Sequence, residues 1–136
     1  MLSEWILLPY VGFLALFLRV WVGANFVGHG YPKLGKSRQQ TLQWTKSLGV
    51  PSILTYLAII LEFFGGLSLI IGFLVPLVGF CIALEMAGAV ILKKTKMKAP
   101  YMGQNSYEID IVYFMLGIAL VILGAGPLSI DALLLH

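Results

Sequence analysis

Four apolar runs, residues 6–28, 53–75, 77–92 and 109–126, decide which solvent this chain can fold in. A helix rises 1.5 Å per residue and a bilayer's hydrocarbon core is about 30 Å thick, so about 20 apolar residues cross it. The first two runs are long enough to cross with some tilt. The third and fourth, at about 24 and 27 Å, are expected to stand upright or in locally thinned lipid. Between the second and third runs only Val75-Pro76 is left as a connection, so a tight antiparallel hairpin is predicted, with Pro76 in the first turn of the third helix. The fold read from this pattern is all-α: a single integral membrane four-helix bundle, up-down-up-down, with loops at 29–52 and 93–108.

Composition agrees. Of 136 residues 60% are hydrophobic and 11% charged, where a soluble domain has roughly 25% charged residues; the mean hydropathy is +0.95. No length remains for a soluble head, so any chemistry is expected within or just outside the bilayer. Cys81 is the single cysteine, which excludes an internal disulfide, a CxxC redox pair and an all-cysteine metal site on this chain alone. The start, MLSEW, carries an acid and no base, so the first run is read as a retained helix rather than a cleaved signal.

Charge gives orientation. Lys33, Lys36, Arg38 and Lys46 lie between runs one and two, and Lys93, Lys94, Lys96 and Lys98 between runs three and four. Lysine and arginine near helix ends are retained on the cytoplasmic side, so both loops are expected there and both termini outside, in the cell membrane. Trp5, Tyr10, Trp44, Tyr101 and Tyr107 lie near the predicted helix ends, where amphipathic rings favour the headgroup layer. These loops read first as a topology signal and only secondarily as an anionic-lipid site. Nothing in the net charge of +3 suggests nucleic acid.

The ninth cation is Arg19, ten residues before His29 and so about 15 Å along the helix from it. That depth is near the expected midplane, where a charge is costly and calls for a partner. Glu62 and Glu85 are predicted at comparable depth in the second and third helices. At 100° per residue Arg19 shares a face with Gly12, Ala15 and Gly23, and Glu62 with Ala58, Gly65 and Gly66. Small residues of this kind let membrane helices approach closely, so Gly23, Gly65 and Gly66 are assigned to packing and Arg19 is expected to meet Glu62. Two uses fit such a cluster: an ion-paired latch, or a polar cavity that binds a ligand or relays a proton. Nearer the basic end stand His29, Glu108 and Asp110. The two acids differ by 200°, so only one faces the interior, and an acid at a helix N-terminus also suits the macrodipole. His29 and His136 stand at opposite ends, which rules out a bis-histidine haem, and no metal or iron-sulfur site is expected.

The motifs together resemble the DoxX and DoxD-like family of small four-helix membrane proteins. Arg19, Gly23, Phe26, His29, Gly30 and Lys33 match its first-helix pattern ending in HGxxK. WTKSLGVP matches its F-x-x-x-G-x-P loop, with Trp44 replacing phenylalanine. Glu62, Gly65, Gly66 and Gly72 match its E-x-x-G-G-L-x-L-x-x-G signature, and Gly126, Pro127, Ser129 and Asp131 its G-P-x-S-x-D ending. The chain departs from the pattern in having Lys93 and Lys94 where many members have histidine, and Glu85 rests on the physical argument alone. By this resemblance the chain is a membrane subunit of a quinone-linked redox or respiratory complex, thiosulfate:quinone oxidoreductase-like. It would bind quinone or dock a redox partner through a cavity lined by Arg19, His29, Glu62 and Glu108, to which the physical argument adds Glu85, with partner subunits supplying the redox centre. The alternative is a non-catalytic scaffold with a structural ion-pair core; a proton or small-anion carrier ranks third. Ala24 and Gly28, among other small-residue pairs, suit internal packing or a homo-oligomer equally.

Overall fold

The computed structural model describes residues 2–135, with side-chain surroundings from residue 9 onward, and every regular element in that range is helical. In chain order these are α1 (Leu2–Leu34), α2 (Arg38–Ser47), α3 (Ser52–Ile60), a π-helical turn (Leu61–Gly65), α4 (Gly66–Ile71), α5 (Val75–Thr95), α6 (Glu108–Leu123) and α7 (Ile130–Leu135). Three rods are long and apolar enough to cross a membrane: Pro9–Leu34, Ser52–Ile71 and Val75–Thr95. The 16 residues of α6 rise about 24 Å and fall short of the hydrocarbon thickness.

Several boundaries differ from the sequence expectation, each for a local reason. The first helix does not end at residue 28 but runs through His29, Gly30 and Pro32 to Leu34. Gly30 lies backbone to backbone on the π turn, where a Cβ would come within 2.7 Å of the Phe63 nitrogen, and this contact carries the helix past its glycine-proline stop signal. The segment expected as a loop over 29–52 therefore holds the end of α1 and all of α2, which is tied to α3 by a 2.7 Å hydrogen bond between the Thr45 and Thr55 hydroxyls. The second rod stops at Ile71, not 75. Gly72, at φ 78°, takes the left-handed conformation that glycine adopts without steric penalty. The Gly72 N–H donates to the Leu69 carbonyl at 3.2 Å and the Phe73 N–H to Ser68 at 2.8 Å, a Schellman stop. The turn is thus 72–74, and Val75 and Pro76 open α5. That helix absorbs Lys93 and Lys94 and reaches 21 residues.

Two glycine crossings hold the rods together. A Cβ on Gly23 would stand 2.5 Å from the Gly66 carbonyl oxygen, and one on Gly66 would stand 2.7 Å from that of Gly23, so α1 and α4 touch through their backbones. Gly79 of α5 and Gly117 of α6 meet the same way, at 2.9 and 2.8 Å. The pairings Gly23 with Gly66 and Gly30 with Phe63 run in opposite chain directions, so the α3–α4 rod is antiparallel to α1. Around these crossings Val22, Phe26, Leu69, Ile82 and Leu120 form the buried core. Phe26 meets Tyr113 edge to face, with centroids 5.3 Å apart, and joins α1 to α6. Dispersion between closely fitted helices, rather than the hydrophobic effect, drives such association in lipid. Phe13, Phe17, Phe80 and Ile122 point outward. The bundle has a turn end, at 72–74 and 124–131, and a loop end, at 35–51 and 96–107.

Replacement of Gly66 by valine is expected to destabilise detergent-solubilised protein by about 1–3 kcal/mol through overpacking. Gly88→Ala adds a methyl group where nothing lies within 4 Å, and should stabilise by about 0.5–1 kcal/mol through helix propensity. Thermal unfolding followed by circular dichroism measures both.

Candidate functional site

Arg19 does not meet Glu62. Its side chain is 1% exposed and points to the turn end, where its guanidinium donates to backbone carbonyls only. Nε bonds Ala125 at 3.0 Å, Nη1 bonds Leu69 at 3.1 Å and Ile70 at 2.7 Å, and Nη2 bonds Leu128. Leu69 and Ile70 close α4, whose last carbonyls lack helical partners; Ala125 and Leu128 belong to the irregular segment after α6. Four of the five guanidinium donors are thereby used. The expectation failed on axial register. Arg19 lies opposite Ile70, eight residues and about 12 Å from Glu62 along the rod, because α1 extends further toward the loop end than its glycines suggest.

The rest of the turn end is built around this contact. The Asp131 carboxylate accepts the Leu74 N–H at 2.7 Å and the Val75 N–H at 3.0 Å, capping α5 with the charge that its N-terminal dipole favours. The Asp131 N–H donates to the Gly72 carbonyl at 2.9 Å, and the Ser129 hydroxyl to the Gly126 carbonyl at 2.6 Å. A Cβ on Gly72 would come within 2.4 Å of the Ser129 Cβ. Arg19, Gly72, Ser129 and Asp131 thus form one knot.

A second polar group lies inside the loop-end half. Lys33 bonds both carboxylate oxygens of Glu62, at 2.9 and 2.7 Å, and Lys93 bonds Asp110 at 2.6 Å and the Ser106 carbonyl at 3.3 Å. Glu62 sits in the π turn, a widened helical turn of the kind that recurs at functional sites. Glu85 stands between the two pairs, with Glu62, Lys33 and Asp110 as its charged neighbours; its Oε2 is buried without a hydrogen-bond partner. Asp110, not Glu108, takes the interior position, being 8% exposed, while Glu108 is half-buried at the helix start. Lys33 and Lys93, read from sequence as loop charges, are committed to the bundle. Their signal was the presence of an acid on each facing helix.

His29 joins neither group. It is exposed on α1 and, with Trp21, Ala24, Asn25 and Gly28, lines a shallow concavity of about 340 Å³ on the outer face of that helix. The Asn25 amide donates to the Trp21 carbonyl at 2.8 Å. A further concavity of about 510 Å³ lies at the turn end against Ala125, Pro127 and Asp131. Neither reaches Glu62 or Glu85. So of the five residues assigned to one cavity, the structure pairs only Glu62 and Glu85, and distributes Arg19, His29 and Glu108 elsewhere. Among the described residues no three His, Cys, Asp or Glu side chains are arranged to hold a metal ion.

The DoxX family model matches residues 14–94, a range that includes Arg19, His29, Lys33, Glu62, Glu85 and Lys93 and stops short of Asp110, Ser129 and Asp131. The chain is similar to the Bacillus subtilis (strain 168) protein named "Putative oxidoreductase CatD", at 34% identity over 116 residues, covering 85% of this chain and 83% of that protein. No solved structure matches the chain.

Four substitutions test the division into a knot and a charge pair. Arg19→Lys, whose point-like ammonium cannot bridge carbonyls of two segments, is expected to cost on the order of 3 kcal/mol, and Asp131→Asn about 1 kcal/mol as a weakened cap. Lys33→Glu and Glu62→Lys should each destabilise by about 3 kcal/mol, and the double exchange should recover more than half of that loss. Chemical unfolding in detergent reads all four.

Proposed function

The chain belongs to the DoxX family, and on that premise we propose that it is the membrane subunit of a quinone-linked redox assembly, with the outer groove of α1 as the place where a quinone head group lies. It is a membrane protein with apolar spanning helices. We read it as crossing the cell membrane four times, up-down-up-down, with the loop end cytoplasmic and both termini outside. The redox association draws support from the relative named as an oxidoreductase.

The observation that carries the reading is the groove itself. Ala24 and Gly28 leave a flat bed, Trp21 supplies an aromatic wall, and Asn25 and His29 bring polar groups to a face otherwise built for lipid. A volume of about 340 Å³ accommodates a single ring, and ligand sites of this kind pair apolar walls with few polar groups. A groove open to the bilayer lets an apolar tail stay in lipid while the ring is held. A quinone carries two electrons and two protons in its reduced form. The imidazole of His29 suits delivery of one of these protons to a ring oxygen, the other coming from water, and the Asn25 amide suits a hydrogen bond to that oxygen. The two electrons come from a partner subunit.

A second reading, the non-catalytic scaffold, has its own support. The charges of Arg19, Lys33 and Lys93 are all satisfied inside the chain, as a purely architectural core requires. The same bonds leave Arg19 poorly placed to attract an anion, so the carrier reading has the least support.

His29 and Asn25 face outward, so His29→Leu and Asn25→Leu are expected to leave thermal stability within about 0.5 kcal/mol. Protein purified from native membrane, with co-extracted quinone quantified by chromatography, should then lose quinone at least tenfold. Equal retention in the variants, or partner proteins without quinone in the parent, would establish the scaffold instead.

A further inference from the structure

The loop end carries eight cations, and the structure divides them. Lys33 and Lys93 are drawn into the bundle by Glu62 and Asp110. Lys36, Arg38, Lys46, Lys94, Lys96 and Lys98 form no salt bridge among the described residues and lie on or beside the ends of the rods. The one acid on this rim outside the pairs is Glu108. A surface of one sign, with its internal compensation already spent on other lysines, is left to attract an external anion.

Rod length fixes where that surface lies. α5 has 21 residues, which rise about 31 Å and match a hydrocarbon core of about 30 Å. Lys94 in its last turn, and Lys96 just after it, are therefore at headgroup level. α2 is held at the same level by the hydrogen bond between the Thr45 hydroxyl and that of Thr55 in the first turn of α3. It buries none of its residues and leaves Trp44 47% exposed between Arg38 and Lys46. Tyr101 and Met102 are exposed in the neighbouring loop, and Lys94 lies 5.8 Å over the Tyr107 ring. Cations interleaved with outward-facing aromatic and apolar side chains, on segments anchored at headgroup depth, suit a layer whose phosphates lie directly above apolar chains.

We propose that this rim is a binding surface for anionic phospholipid, with Arg38 and Lys46 of α2, Lys94 at the end of α5, and Lys96 and Lys98 of the loop after α5 as the phosphate-binding side chains. Two opposed segments, one from each loop, then contact the same lipid annulus and hold α2 flat on the membrane. The surface is distinct from the α1 groove and does not depend on what that groove binds.

The full chain reconstituted in nanodiscs of equal phosphatidylcholine and phosphatidylglycerol, then re-extracted gently, tests this through the ratio of the two retained lipids. Phosphatidylglycerol is expected to be enriched, with the enrichment falling as salt rises. Retention should weaken by about fivefold for each cation removed in K94Q/K96Q/K98Q and in R38Q/K46Q, while K94R/K96R/K98R keeps it. Circular dichroism on the same samples reports helix content, which these outward substitutions should leave unchanged. The proposal is overturned if the parent shows no enrichment, if the glutamine variants retain the parent's ratio with the fold intact, or if the enrichment is indifferent to salt.

Discussion

A buried guanidinium that satisfies backbone carbonyls is the interaction on which the turn end depends. Irregular backbone at membrane depth is tolerated only where its polar groups find partners in the protein. Two such stretches meet here, the end of α4 and the segment after α6. Arg19 reaches both from a third helix with one rigid, five-donor group, bonding Ala125, Leu69, Ile70 and Leu128. Leucine would leave the Ile70, Ala125 and Leu128 carbonyls unpaired, and lysine could serve only one side of the gap. The charge is balanced by carbonyl dipoles at a helix C-terminus, where a cation is favourable, with Asp131 as the nearby opposite charge. Gly72, Ser129 and Asp131 follow from this choice, since each lets the last segment fold down onto the turn that Arg19 closes.

The two ends of the bundle solve different problems. At the turn end nearly every polar group is consumed locally, and the reward is a fixed geometry for three helix termini. At the loop end polarity is partitioned: two lysines are buried against acids, six cations are left outside, and Glu85 keeps one carboxyl oxygen unpartnered between the pairs. The outward concavity with His29 begins one helical turn before Lys33, so its polar edge is next to the interior charges through a single helix. The redox reading and the architectural reading thus draw on different surfaces of α1, the outer and the inner.

How much of this was legible follows from what helical patterning encodes. Runs of apolar residues report that a segment lies in lipid, and loop lysines report which end of the bundle they share. The 3.6-residue period reports azimuth, so Gly23, Gly66 and Arg19 fall on an inner face as expected. It says nothing of axial translation, and the pairing of Arg19 with Glu62 rested on that translation. Gly30 and Pro32 looked like a helix stop, yet packing on the π turn carried α1 to Leu34 and moved the register by two turns. The true partners of Arg19 were invisible for a plainer reason: a backbone carbonyl has no residue type. Lys33 and Lys93 were misread because composition cannot separate a cation in a loop from one that folds back onto an acid. Asp110 and Glu108 were correctly seen to exclude one another, but azimuth relative to an unplaced neighbour could not choose between them.

The Arg19 contacts also span unusual lengths of chain: the hydrogen bond to Ala125 joins residues 106 apart, and that to Leu128 residues 109 apart. During synthesis the first helix therefore enters the membrane carrying a cation whose permanent acceptors have not yet been made. The Leu69 and Ile70 carbonyls can take Nη1 once α4 is made, but until residues 125–128 emerge Nε and Nη2 have only water, headgroups or the insertion machinery as partners. Arrival of the last segment supplies the missing carbonyls and draws the early helix into its final position. A motif near one end of the chain thus acts as a completion signal for a helix near the other.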